Sequence, residues 1–293
     1  MATRTAWVLN LDADLELAAG ARYAPRAVLR AAMRPHALRL AGWLLAPGDV
    51  LVDESSPLNV ASGLPGRAFC PTPRALSLLE RAGADAEAHP PVDVLRRVNS
   101  RAFASALGPT LPGAAFVTDL EAAHAILERS PGVGPAWRIK HAFGMAGRNQ
   151  KVVRPASLTD ADRAFLRAGL ARGGVQIEPD VDIADEYALH GLLGGEGALR
   201  LGALVRQRCD ARGAWLSTEP IAWEREPLSP LPARMAEEAS RVAAALHAAG
   251  YFGPFGIDAY TYRAGGDLRL QPRSEVNARY SMGFAVGFGR TGW

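Results

Sequence analysis

The stretch that most restricts the fold lies late in the chain. Gly253-Pro-Phe-Gly-Ile-Asp258 runs on to Tyr262, a turn follows at Ala264-Gly-Gly-Asp267, and Leu268 to Asn277 returns. Two extended runs joined by a glycine turn pair antiparallel. Residues two apart on a strand share a face, so Glu275 and Asn277 project together. With the turn centred near Gly265, Asp258 falls opposite residue 272 or 273. Pro272 cannot donate to the ladder and marks where a bulge would adjust that register. Carboxylates on one face of adjacent strands repel unless something neutralises them. A charged solvent face is the plain reading. The alternative is a hard divalent cation such as Mg²⁺, which suits two carboxylates and an amide oxygen and also binds phosphates. Arg279, two residues on, can reach a phosphate oxygen.

Upstream, the first hundred residues read as a small α/β unit. Strands are expected at Trp7–Leu11 and Val50–Asp53, and helices at 24–44 (broken near Pro35) and 73–82. The polar, proline-bearing run 83–91 reads as a linker, and 92–107 as a helix ending at Gly108-Pro109. Strands and helices then alternate from residue 114. Asp119 is placed to cap one helix, and Ser157-Leu-Thr-Asp160 has capping-box spacing before another. Gly194-Gly-Glu-Gly197 marks a hairpin, and 234–249 is an amphipathic helix.

Two further segments carry candidate chemistry. In Lys140-His-Ala-Phe-Gly144-Met-Ala-Gly147-Arg-Asn-Gln-Lys151 a strand ends in lysine, a glycine-bearing loop crosses and a second strand returns. Backbone N–H groups and the lysine of such a loop can neutralise phosphates, or the glycines can simply make a turn. It is not a Walker loop, because Lys140 precedes the glycines and no helix follows at once. In the run from Val175 to Tyr187, Glu178 and Glu186 bracket a bend. Such a connector can offer groups to a purine and its ribose, or it can be a solvated link with acidic ends. His141 and His190 flank these segments and read as structural histidines.

Composition excludes several classes. Of 33 basic residues only Lys140 and Lys151 are lysines, and the net charge is +3. The arginines are scattered rather than gathered on a stripe, so no nucleic-acid partner is expected. No apolar run reaches spanning length, so no membrane partner is expected, and the acids Asp12, Asp14 and Glu16 come too early for a signal peptide. Cys70 and Cys209 form no disulfide framework, and a cytoplasmic protein is expected.

The three segments, in this order and spacing, resemble the ATP-grasp family over residues 98 to 283. The resemblance implies an α+β protein. Its ATP-grasp fold would consist of two α+β lobes, at about 110–180 and 181–293 of a domain spanning 98–293. A small Rossmann-like α/β domain over 1–97 would precede them. It further implies ATP and Mg²⁺ (or Mn²⁺) as cofactors. Asp258, Glu275 and Asn277 would hold the metal. Arg101, Lys140, Gly144, Gly147, Glu178 and Glu186 would bind nucleotide, with Asp185 as an alternative ribose contact. Lys140 and Arg279 would act on the transferred phosphate. Arg101 stands where the family usually has lysine. The activity implied is ADP-forming ligation of a small-molecule carboxylate to an amine or thiol. A small-molecule kinase and a non-catalytic ATP-binding module are the alternatives, and a homodimer is an expected assembly.

Overall fold

A computed structural model describes residues 4–109, 111–145, 147–210, 213–221 and 230–289. The first unit comprises β1 (Ala6–Val8), α1 (Ala13–Ala19), α2 (Ala27–Leu44), β2 (Val50–Leu51), β3 (Pro65–Ala68), α3 (Pro73–Arg81) and β4 (Asp85–Ala86). Its strands form one parallel sheet in the order β2-β1-β3-β4. Two expectations change here. Helix α2 runs unbroken through Pro35; the carbonyl of Ala31 that the missing N–H would have bonded lies on an exposed turn, where water can take it. The run 83–91 is also not wholly a linker, since Asp85–Ala86 adds the fourth strand.

The expected helix over 92–107 divides into α4 (Val92–Val98) and α5 (Arg101–Ala106). Ser100 causes the break, its hydroxyl accepting from the Ala102 N–H as a new N-cap. An antiparallel sheet follows in the order β5-β8-β6-β7. It contains β5 (Ala115–Val117), β6 (Ala136–His141), β7 (Gln150–Val153) and β8 (Val175–Asp180), backed by α6 (Leu120–Leu127) and α7 (Asp160–Leu170). Asp119 caps α6 as expected. The capping box of α7 lies two residues later than expected, between Thr159 and Asp162.

The third sheet has the order β12-β11-β9-β13-β14, with β10 on β9. Its members are β9 (Asp182–Leu193), β10 (Leu199–Leu201), β11 (Val205–Cys209), β12 (Trp215–Pro220), β13 (Gly253–Ala264) and β14 (Asp267–Asn277). Helix α8 (Leu231–Ala248) backs it, and α9 (Phe284–Phe288) closes the described chain. The β13–β14 turn has Gly265 at φ 59° and Gly266 at φ 88°, the two positive values that a tight hairpin of right-twisted strands demands.

One face of this sheet is apolar. Leu189, Phe255 and Ile257 pack with Met235, Val242 and Leu246 of α8 and with Trp7, Leu17 and Leu40 of the first unit. Burying each such large side chain contributes about 1.5–3 kcal/mol. The opposite face therefore remains for polar work, and it looks across a cleft at the polar face of the second sheet.

Candidate active site

The cleft encloses about 720 Å³. Every site residue expected from the sequence borders it: Arg101, Lys140, Gly144, Gly147, Glu178, Asp185, Glu186, Asp258, Glu275, Asn277 and Arg279. The pleat explains the gathering. On the second sheet Arg138 pairs with Glu178 and Lys140 with Gln176, so all four share one face, from which Arg138, Lys140 and Glu178 border the cleft, while Trp137 and Ile139 enter the core. On the third sheet Glu186 pairs with Gln207 and with Tyr260, and Asp258 with Glu275, so these share the opposing wall.

The register around Asp258 departs from the expectation. Tyr260 pairs with Gln271 as a regular hairpin requires, but Asp258 pairs with Glu275 and Gly256 with Asn277. An irregularity between Asp258 and Tyr260, opposite Pro272 to Ser274, moves the register by two residues. The two acids are thereby direct cross-strand neighbours rather than diagonal ones. Asp258 accepts from Gln207 Nε2 at 2.9 Å and from Asn277 Nδ2 at 2.9 Å. Burial, and then the charge of Glu275, push its carboxyl up to about 7. Arg101 meets Glu275 at 2.6 Å and donates to the His141 carbonyl at 2.9 Å. Two apposed carboxylates, one raised this far, are a site short of positive charge, and with the oxygen of Asn277 they fit a hard divalent cation. A His, Cys, Asp and Glu cluster of three or more is absent among the described residues, because the third oxygen here belongs to an amide.

At the other end of the cleft Lys140 Nζ lies 2.5 Å from Glu178 Oε1, and Gln176 donates to the other oxygen at 3.0 Å. Glu178 is 2% exposed. Both oxygens of its carboxylate thus have protein partners, and the lysine is fixed at the cleft wall by them. Glu186 faces the cleft, and the thiol of Cys209 bonds to it; burial and then that carboxylate hold the thiol well above its ordinary pKa, so it is protonated. Asp185, which also borders the cleft, pairs with Thr261 in the ladder and lies 3.6 Å from Arg206.

Gly144 is required by close approach. A Cβ there would sit 2.8 Å from Arg101 Nη1 and 2.9 Å from the Arg148 carbonyl. Gly147 has φ 71°. Arg279 is held by Asp14 of α1 at 2.7 Å, and its guanidinium lies 5.2 Å from the Phe69 ring centroid. Burial opposes its charge, but Asp14 more than compensates and raises its pKa. Neither His141 nor His190 is among the residues that border the cleft. His141 Nε2 bonds the Phe165 carbonyl at 3.1 Å, and His190 is fully buried against Phe284, burial pulling its pKa down to about 4.

Sequence reading missed Gln207, Gln176 and Asp14. Gln207 reaches Asp258 only because β9 lies between β11 and β13 in the sheet, an order no local pattern encodes. Asp14 meets Arg279 across 265 positions of chain. Its one signal was the acidic run Asp12, Asp14, Glu16 directly after the first strand.

The architecture is the ATP-grasp fold. Among solved structures the chain is similar to the D-alanyl-alanine synthetase A of Vibrio cholerae O1 biovar eltor. That match has a TM-score of 0.53 at 13% identity and covers 98% of this chain and 92% of that one. It is also similar to the N5-carboxyaminoimidazole ribonucleotide synthetase of Thermus thermophilus (TM-score 0.51, 21% identity, 94% and 71% covered). A third likeness is to the N5-carboxyaminoimidazole synthetase of Staphylococcus aureus complexed with ADP (TM-score 0.52, 12% identity, 95% and 71% covered). No family model and no curated protein matches the sequence. No helix among the described residues is long and apolar enough to cross a membrane.

Proposed function

We propose that the protein is an ATP- and Mg²⁺-dependent ligase, which activates a small-molecule carboxylate as an acyl phosphate for attack by an amine. The observation that carries this reading is the apposition of Asp258 and Glu275 beside Asn277, on a cleft wall facing Lys140. Further support comes from the likeness to three synthetases, one of them complexed with ADP.

In this reading the purine lies near Glu178 and the ribose beside Glu186, which shares the cleft face with the metal donors. Mg²⁺, held by Asp258, Glu275 and Asn277, would neutralise phosphate charge. Lys140, fixed by Glu178, adds positive charge to the phosphates, and Arg101 and the loop bearing Gly144 and Gly147 cover them. The chain's remaining task is alignment and exclusion of water. The substrate carboxylate oxygen attacks the γ-phosphorus and ADP leaves. The amine then attacks the acyl carbon, phosphate leaves with the bonding pair, and the amine nitrogen loses a proton. Arg279 stands at the end where the acyl phosphate would form.

The test is ADP release over a panel of carboxylates with hydroxylamine as nucleophile. Hydroxamate, identified by mass spectrometry, is expected from the wild type and is lost in Glu275→Gln. A phosphorylated alcohol as product would establish a kinase instead. Nucleotide binding without any turnover would establish a binding module.

A further inference from the structure

The cleft has a second end that nucleotide and metal do not explain. Along its length the groups run from Lys140 and Glu178, through Glu186 and Gln207, to Asp258, Glu275 and Asn277. Arg279 follows, and beyond it the first unit begins. There the apolar lining is Leu11, Met33, Phe69, Trp215 and Met282, with the exposed His36 one turn from Met33. Phe69 belongs to the main core, and Leu11 and Met282 pack against it, so this wall is backed by fixed apolar structure. Trp215 is set by its indole N–H, which donates to Thr218 Oγ1 at 2.8 Å, and by an edge contact with Trp43 at 5.9 Å.

Polar features at this end are sparse and specific. Arg279 directs two of its nitrogens to Asp14 and a third to the Tyr280 carbonyl at 3.1 Å. A guanidinium has five N–H donors, so two are left over. The Ser281 hydroxyl, on the cleft wall two residues further on, is buried with no hydrogen-bond partner among the described residues. A buried hydroxyl without a partner is costly unless a ligand supplies one. Surplus N–H groups and one hydroxyl can hold a single carboxylate beside the metal donors.

The other described arginines around this end have partners. Arg208 pairs with Glu219 at 3.5 Å, Arg39 bonds the Leu216 carbonyl at 2.9 Å and covers the Trp215 ring, and Arg74 pairs with Asp12 at 2.5 Å and Glu54 at 2.6 Å. Among the described residues, a phosphate or second carboxylate placed here would find no guanidinium without a partner.

Resting on the ligase reading above, we infer that the carboxylate substrate is a monoanion with an apolar, branched or aromatic body. Its carboxylate lies at Arg279 and Ser281, and its body lies between Met33, Phe69, Trp215 and Met282. Phosphorylated acids and dicarboxylates are disfavoured here because the described arginines at this end already have partners, and very short acids are disfavoured by lost burial. Each methylene buried is worth roughly fourfold in affinity.

Two measurements on the intact chain test this. The first is hydroxamate formation with MgATP over acetate, butyrate, 4-methylpentanoate, 3-phenylpropanoate, succinate and 3-phosphoglycerate. kcat/KM is expected to rise at least tenfold from acetate to 4-methylpentanoate, with the last two acids near background. A flat series, or turnover confined to succinate or 3-phosphoglycerate, overturns the substrate class and leaves the ligase reading standing. The second is calorimetric binding of 3-phenylpropanoate in the presence of MgADP. Binding without hydroxamate from any acid keeps the pocket and overturns the ligase reading, and no binding with no hydroxamate overturns both. Met33→Arg, at a half-exposed helix position that tolerates the change, places a cation in the apolar end. It is expected to lower kcat/KM for 3-phenylpropanoate tenfold or more and to raise it for succinate. An unchanged preference overturns the pocket assignment.

Discussion

Replacing Asp258 by Asn should make the metal-free protein more stable at alkaline pH while removing its response to magnesium. Asp258 has an ordinary carboxylate pKa near 3.8 in the unfolded chain and about 7 in the folded one, through burial and the neighbouring Glu275. The folded state therefore holds the extra proton between those values. Stability falls as pH rises through that window, and the full cost is present above about 7. Three pKa units correspond to about 4 kcal/mol; water in the cleft and the nearby Arg101 screen this to a working figure of about 2 kcal/mol. Asn keeps the shape. Gln207 still donates to its oxygen, and the Asn277 amide can turn over to accept from its nitrogen. In a chain of this size the gain is a rise of roughly 4 °C in Tm. The assay is thermal unfolding in EDTA at pH 8 and pH 4.5, repeated at pH 8 with MgATP. The Asp258→Asn variant is expected to melt higher at pH 8, to match the wild type at pH 4.5, and to gain little from MgATP. A variant less stable than wild type at pH 8, or a difference independent of pH, would refute the argument that these carboxylates are held in electrostatic tension.

Gly144→Ala drives a methyl against Arg101 Nη1 and the Arg148 carbonyl; the KM for MgATP is expected to rise at least tenfold while the far-ultraviolet circular dichroism spectrum is unchanged. Lys140→Arg replaces a compact ammonium by a fork that cannot sit 2.5 Å from Glu178 in the same way, and turnover should fall at least tenfold in steady-state kinetics. Lys151→Met removes the ion pair to Asp162 at 2.5 Å. Burial acts against the Asp162 charge, but Lys151 and Thr159 outweigh it and hold its carboxyl at about 2. Their stabilisation is present above pH 4 and lost as pH falls toward 2, so the variant should lose about 1 kcal/mol in urea unfolding at pH 7 and converge on the wild type in acid.

Much of this site is legible in sequence because its parts are local. Glu275 and Asn277 need only the period of a strand, and Asp258 needs only a hairpin, with Pro272 locating the irregularity that sets Asp258 against Glu275. What escapes is what depends on sheet order or on distant chain. Gln207 becomes a partner of Asp258 through β9, which lies between their strands. Arg279 is tethered by Asp14 of α1, a partner that no local pattern names. The strand Pro65–Ala68 was invisible because Pro65-Gly-Arg-Ala carries no β-forming residue. It forms because β1 and β4 sit on either side of it, a case of tertiary pairing overriding propensity.

The two lysines show how far composition alone can lead. Their scarcity marks one hairpin, β6 to β7. The pleat separates them. Lys140 pairs with Gln150 and faces the cleft, whereas Lys151 pairs with Ile139, which is fully buried under α7. Lys151 consequently leaves the hairpin on the helix side and reaches Asp162, the acid of the α7 capping box. One lysine borders the cleft, and the other fastens a helix to the sheet that presents the first. Exchanging their surroundings by a single-residue slip of β6 against β7 would put Ile139 in the cleft and Lys140 in the core, and the burial of Trp137 and Ile139 beneath α6 and α7 forbids that slip. The register that delivers Lys140 to the site is thus held by apolar residues that never touch it.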